Sequence, residues 1–323
     1  MYILWILLGF LGTLILCALI AATVCYFRIF YVPERAKRPK SELEIPDGEI
    51  YEKHREGMIA WMKEVRALDA EWLSLSSFDG LTLRARLFDF GEDTPIEIML
   101  HGYRGNADRD LCGGVIRARE LGHSVLLVDH RAAGTSEGNT VTFGVLEKRD
   151  ALAWAKLLCE RFPGRPIILT GVSMGAATVM ACAGEESLPE SVIGVLADCG
   201  YTSARDIIRK VMRDMHLPDG LLYPFAVFGA RLFGRFDLNE TPPVEALKHA
   251  RVPVLFFHGD ADDFVPAYMS EENFAACSSK KRLVIIEGAG HGLAYPINQQ
   301  KYLEAMREFF TPLYPNKNEK GEN

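Results

Sequence analysis

The stretch Ile167-Ile168-Leu169-Thr170-Gly171-Val172-Ser173-Met174-Gly175-Ala176-Ala177 constrains this chain more than any other. An apolar run ends in Gly-x-Ser-x-Gly, and a small-residue helical pattern follows without a gap. Such a pattern reads as a buried strand that turns sharply at Ser173 and leaves as a helix. Gly171 and Gly175 remove the Cβ atoms that would collide in so tight a turn. The Ser173 hydroxyl is then left at the tip above helix N-terminal amides, which is how a nucleophile is presented. The five residues alone also fit an ordinary Gly/Ser turn, so the rest of the chain must decide.

Other apolar runs repeat the strand half of this pattern. Strands are expected at 96–100, 124–129, 166–172, 192–197, 253–258 and 282–287. The runs are continuous rather than alternating, as in Val125-Leu126-Leu127-Val128 and Val254-Leu255-Phe256-Phe257. Strands buried on both faces have that composition, so the sheet should be mainly parallel with helices on each side. Helices fit between them near 109–121, 147–161, 174–184, 267–277 and 297–311. Ahead of this alternation, 72–76 and 81–87 do alternate around Phe78-Asp79-Gly80, the pattern of a hairpin. Residues 49–68 carry an irregular apolar helical face. Residues 201–248 hold no good strand, but do hold a helix over 206–216 and a second apolar patch from Leu221 to Phe233. An insertion there would cap the carboxyl ends of the strands, where open α/β sheets bind ligands.

Met1 to Phe27 carries no charged side chain. About 20 such residues in a helix cross the roughly 30 Å hydrocarbon layer. A secretory signal should carry a basic segment ahead of its apolar run, and none precedes this one. Residues 1–27 are therefore expected to be a transmembrane anchor, 28–48 a linker, 49–315 the main domain and 316–323 a polar tail. Arg28, Arg35, Lys37, Arg38 and Lys40 follow the span, which places the main domain on the cytosolic side by the positive-inside tendency. The seven cysteines of the 323 residues are odd in number and scattered, as reduced thiols are. With a net charge of −7 and no basic stripe, a nucleic-acid partner is not expected.

A nucleophilic serine needs a base, an acid to orient it and donors for the developing oxyanion. His291, on the Gly288-Ala289-Gly290 loop after the last strand, is the expected base. His54, His123, His216 and His249 read as surface residues. His101 and His258 read as loop-bonding, and His130 as a possible lining residue. For the acid, Asp262 in His258-Gly259-Asp260-Ala261-Asp262-Asp263 competes with Asp198 at the end of an earlier strand. Asp260 and Asp263 read as loop caps. The oxyanion donors should be the backbone amides of Met174 and Tyr103.

Taken in order, these motifs carry a resemblance. The chain from Trp72 to Phe310 resembles the α/β-hydrolase superfamily. The match runs through His101-Gly-x-x-Gly105-Asn106, Asp129-His130-Arg131-x-x-Gly134, Gly171-x-Ser173-x-Gly175, His258-Gly-x-x-Asp262 and Gly290-His291-Gly292. It is most similar to bacterial serine hydrolases of the esterase, lysophospholipase or cinnamoyl-esterase kind. The resemblance implies a mostly parallel eight-stranded sheet with an antiparallel N-terminal hairpin, helices on both faces and a small helical cap. It implies Ser173, Asp262 and His291 as the triad and ester cleavage without a metal or organic cofactor. The expected substrate is a small-molecule ester, apolar or lipid-like. A peptidase, thioesterase or acyltransferase on the same triad is the alternative, and a non-catalytic binding protein a further one. Ala132-Ala133 departs from relatives, which often carry Gly and a larger residue there.

Overall fold

A computed structural model describes residues 1–37, 41–91, 94–240 and 242–314. The polar tail expected over 316–323 lies outside them. Eight strands form one sheet: β1 (Glu71–Ser76), β2 (Thr82–Phe88), β3 (Ile96–Leu100), β4 (Ser124–Asp129), β5 (Ile167–Val172), β6 (Val192–Asp198), β7 (Val254–Gly259) and β8 (Lys281–Ile286). Their spatial order is β1-β2-β4-β3-β5-β6-β7-β8. β2 runs antiparallel to β1 and to β4, and every other pairing is parallel. The expected hairpin and parallel sheet are both present.

The continuous apolar runs divide by parity between the two faces of the sheet, because successive strand side chains point to opposite sides. Leu169, Val195, Ala197, Val254 and Phe256 join one large core cluster. Their neighbours Ile168, Leu196, Leu255, Phe257 and Val284 pack on the other face. There they meet the helix at Gln299–Phe310, with Phe257 stacked on Tyr302 at 3.6 Å between ring centroids.

The helices, in chain order, are α1 (Tyr2–Ile29), α2 (Glu34–Lys37), α3 (Glu49–Glu52), α4 (Arg55–Arg66), α5 (Ala107–Glu120), α6 (Val145–Arg161), α7 (Met174–Ala183), α8 (Ala204–Asp214), α9 (Asp219–Gly229), α10 (Pro243–Leu247), α11 (Tyr268–Ala276), α12 (Ala294–Ile297) and α13 (Gln299–Phe310). The helix expected over 49–68 is broken at Lys53 and His54. The break lets α3 place Tyr51 over the loop of His291, while α4 packs Trp61 against Gly113 of α5. The last helix is also split, at Asn298, whose side chain caps α13 by accepting from the Lys301 amide.

The insertion between β6 and β7 is a helical cap. Ser203 caps α8 by accepting from the Asp206 amide. α9 continues as one π-helical turn, Ala230–Gly234, before the chain returns to the sheet through α10.

The apolar N-terminus is one unbroken helix, with a mean hydropathy of 2.7 in its 18-residue window, none of which is buried. Its last turns behave differently. Ala22, Cys25, Tyr26 and the following Phe30 are buried. A Cβ on Gly229 would stand 2.5 Å from the Ala22 carbonyl oxygen, so α9 crosses α1 in near backbone contact. Residues beyond α1 are pinned as well: the Val32 amide donates to Asn139 O, the Val141 amide donates to Phe30 O, and Tyr31 bridges to Thr140.

Candidate active site

β5 is buried from Ile167 to Gly171, and the chain reverses at Ser173 with φ 57° and ψ −114°. That backbone is strained for a residue with a side chain, and such strain is held only where the surroundings over-determine it. Here the Ser173 amide donates to Asp198 O at 2.8 Å. A Cβ on Gly171 would overlap the Gly175 backbone, and one on Gly175 would overlap Leu100 O. Both glycines are therefore fixed by crowding. α7 then leaves fully buried.

His291 reaches this tip from the loop after β8. Its Nε2 lies 2.9 Å from Ser173 Oγ and its Nδ1 lies 2.7 Å from Asp262 Oδ2. Asp262 stands on the loop after β7. Its Oδ1 accepts from the amides of Phe264 and Val265 at 3.0 and 2.8 Å. Burial opposes its charge, yet hydrogen bonds from His258 and His291, with the Val265 amide, hold the carboxyl well below the usual range. Asp262 is thus a stable anion aimed at the imidazole. That contact fixes Nδ1 as the protonated nitrogen and leaves Nε2 to accept from the serine.

Asp198, the competing acid, is buried and makes no hydrogen bond to His291 among the described residues. One oxygen accepts from Tyr302 at 3.0 Å, and the other has no hydrogen-bond partner among the described residues. Burial raises its carboxyl. His258 donates from Nε2 to Val265 O and receives Ser270 at Nδ1, at 2.7 and 2.6 Å, so it braces the Asp262 loop. His101 bonds Gly102 O through Nδ1 and accepts the His130 amide at Nε2. His130 packs edge-on against His101 with its own Nε2 unpartnered. Asp260 caps the Gly288 amide at 2.6 Å. His123 departs from the expectation of a surface residue. It is buried, between Glu97 at 2.7 Å and the Tyr314 hydroxyl at 2.6 Å. Glu97 points into the core of β3, and that buried carboxylate draws the imidazole in.

Of the two expected oxyanion amides, Met174 follows Ser173 directly and Tyr103 follows Gly102, where a Cβ would stand 3.6 Å from the Ser173 Cβ. Among the described residues, neither the Tyr103 nor the Met174 amide donates to any acceptor. Two unpaired donors beside a nucleophile suit a developing oxyanion. The Tyr103 loop is held by contacts that no motif announced. Asp110 accepts from the Gly102 amide at 3.2 Å, and a Cβ on Gly105 would overlap its carboxylate. The Tyr103 hydroxyl donates to Ile29 O at 2.6 Å, and Arg104 donates to Arg28 O and Tyr31 O at 2.9 Å each. The Tyr103 ring lies 4.8 Å from that of Phe143. The end of α1 is thus fastened to the oxyanion loop.

Three further residues frame the site. The Tyr51 hydroxyl donates to His291 O at 2.9 Å. Phe264, half-exposed, packs edge-on against the His291 ring at 5.0 Å. Cys199 sits just after β6 at φ 49°, its Sγ within 4.8 Å of the donor atoms of Asp262 and His291. These three groups are the only metal-type cluster among the described residues. Burial keeps the Cys199 thiol protonated, far above its usual value. The Asp262 oxygen of that cluster is already engaged by His291. The arrangement fits proton transfer better than metal ligation.

A family model described as the alpha/beta hydrolase family matches residues 98–304. The chain belongs to that family. It is 31% identical over 192 residues to the protein YqkD of Bacillus subtilis, a match covering 59% of this chain and 63% of YqkD. It is 23% identical over 232 residues to the lysophosphatidylserine lipase ABHD12 of Danio rerio, covering 68% of this chain and 54% of that one. Among solved structures, the Pyrococcus furiosus esterase Pf2001 aligns with a TM-score of 0.61 at 20% identity, covering 78% of this chain and 96% of the esterase. At that identity the likeness shows the fold. With the family match, it makes this hydrolase one of a group with esterase and lipase neighbours.

Proposed function

We propose that this hydrolase cleaves carboxylic esters through an acyl-enzyme on Ser173. The observation that carries the reading is the continuous relay from Ser173 Oγ through His291 to Asp262, at 2.9 and 2.7 Å, beside two unpaired amides. In this reading Oγ attacks the ester carbonyl while Nε2 takes its proton. The oxyanion that forms accepts from the Tyr103 and Met174 amides. The C–O bond to the alcohol then breaks, and His291 returns the proton to the departing oxygen. Water, deprotonated by the same imidazole, releases the acid and restores the serine. Asp262 holds the tautomer and offsets the imidazolium charge throughout.

The substrate we propose is apolar or lipid-like. A relative is named a lysophosphatidylserine lipase, and the cap carries exposed apolar side chains. We also propose that α1 is a retained membrane anchor with the hydrolase domain in the cytosol. The seating of Ala22, Cys25, Tyr26 and Phe30 in the body supports retention of the end of α1, since cleavage beyond them would expose Gly229 and the Phe30 pocket. The basic residues after the span support the orientation.

A fluorophosphonate probe tests the chemistry. It should label the full chain, and the label should vanish in Ser173→Ala. Persistent labelling of that variant would overturn the assignment. A chain-length series of aryl esters, run on the full chain in detergent, tests the preference for apolar acyl groups.

A further inference from the structure

One face of the cap helix α9 packs on α1, and the face beside it is exposed. Leu222, Ala226, Gly229 and Phe233, spaced as one helical stripe, turn toward α1. Gly229 seats Ala22, Phe233 meets the Tyr26 ring at 5.4 Å, and Leu222 O lies against Cys25 Sγ. The α1 side of this crossing is equally narrow. Ala22 and Cys25 are buried and Ala18 and Ala21 partly so, all small, at helical spacing. One residue round from the α1-facing stripe lie Leu221, Phe228 and Leu232, which are 62%, 43% and 45% exposed. An exposed apolar stripe of this kind beside an exposed apolar helix makes one continuous surface.

The level of the crossing decides what that surface meets. An α-helix rises 1.5 Å per residue, so about 20 residues cross a hydrocarbon layer of roughly 30 Å. Arg28 is the first charged side chain after the apolar run, so the crossing of the layer ends in the turns just before it. α9 crosses α1 at Ala22 to Tyr26, just where hydrocarbon gives way to headgroups. A helix at that depth with an apolar stripe facing the acyl chains matches the geometry of interfacial helices. Arg28, in the last turn of α1, follows on the headgroup side.

We propose that α9 is a second membrane contact. Its exposed Leu221 and Phe228, continued by Leu232 of the π-helical turn, dock into the same bilayer that α1 crosses, so the cap is held by lipid as well as by protein. This rests on the reading of α1 as a retained anchor. The occupant of the stripe is the lipid acyl region rather than a second copy of this chain, because the stripe is continuous with the exposed face of α1 and lies at the depth where that helix leaves the hydrocarbon.

The test uses the full chain in phosphatidylcholine vesicles, in a background with Cys17 and Cys159 changed to Ser. Phe228→Cys and Leu232→Cys are each labelled with an environment-sensitive nitrobenzoxadiazole dye. Leu11→Cys in α1 and Lys156→Cys, an exposed position of α6, serve as references. Docking predicts a blue-shifted emission at 228 and 232, quenched severalfold by doxyl-labelled lipid as at 11, with 156 unchanged. A water-like, unquenched label at 228 and 232 with a quenched label at 11 would overturn the docking and leave the anchor standing. An unquenched label at 11 would overturn both. Self-quenching at 228 that persists on dilution with lipid would give the face to a second copy and overturn the proposal too. Should Phe228→Cys not fold, Leu221→Cys, at the most exposed position of the stripe, carries the same readout.

Discussion

The two sides of the candidate site are held in different ways. On the acid–base side, Asp262 and His291 are fixed from within the hydrolase body. Two amides fix Asp262, His258 braces its loop, and Tyr51 holds the His291 carbonyl. On the oxyanion side, the Tyr103–Arg104 loop is fastened partly by Asp110 and partly by carbonyls of Arg28, Ile29 and Tyr31. One side is independent of α1, and the other borrows its rigidity from the end of that helix. In the proposed mechanism, proton transfer would therefore be insulated from the N-terminus, while the stabilisation of the oxyanion would be coupled to it.

The difference can be broken from either side. The largest expected effect is on the insulated side. Asp262→Asn should lower turnover of an aryl ester by about ten-thousandfold, because the imidazole loses its tautomer control. Asp198→Asn should change it by no more than about threefold, since Asp198 makes no hydrogen bond to His291 among the described residues and an Asn oxygen can still accept from Tyr302. Equal losses in the two variants would reverse the assignment of the acid. On the coupled side, Gly229→Leu forces a side chain into the Ala22 backbone. Overpacking of this kind costs about 1–3 kcal/mol, visible as a lower thermal midpoint of the detergent-solubilised chain. An unchanged midpoint would mean that α1 and α9 are not in close contact.

Tyr103→Phe keeps the ring on Phe143 but removes the bond to Ile29 O. If that bond, at about 1 kcal/mol, serves the placement of the oxyanion loop, kcat should fall about fivefold with KM unchanged. A change in KM alone would assign Tyr103 to substrate binding instead.

The smallest effect lies outside both sides, in the core of the sheet. Burial alone would raise Glu97, but Arg117 and His123 bring its carboxyl down to about 2. Its ordinary value is about 4.3. Between those values the unfolded chain binds more protons than the folded one. The stability due to this pairing is present above about pH 4.3 and is lost as the pH falls toward 2. The thermal midpoint of Glu97→Gln should be flatter over that window than that of the native chain. Parallel curves would show that the pairing does not govern acid stability.

What could be read from the sequence follows the same division. The elbow at Ser173 is local: its two glycines, its strand and its helix are contiguous, so the pattern carries its own geometry. Asp262 and His291 follow consecutive strands, and chain order alone proposed them, but only a distance could separate Asp262 from Asp198. The attachment of α1 left no local mark. Ala22 and Gly229 lie far apart in the chain, and a small residue inside an apolar helix looks the same whether it seats a neighbour or faces lipid. Asp110 was equally silent, because its partners are the backbone of Gly102 and the space left by Gly105. His123 was misread for a related reason: the carboxylate that draws it inward sits on another strand, in a run that is otherwise apolar.

α1 runs from Tyr2 to Ile29 without a break, and its final turns are wedged into the body. If α1 is the retained anchor proposed above, this shaft joins bilayer to hydrolase body without a break between Tyr2 and Ile29. A bilayer thinner or thicker than the apolar length of the shaft would tilt it. With no joint to absorb that tilt, the body and the carbonyls that brace Tyr103 would turn with it. Under that proposal, membrane thickness would reach the Tyr103 loop as a mechanical input, carried along the shaft.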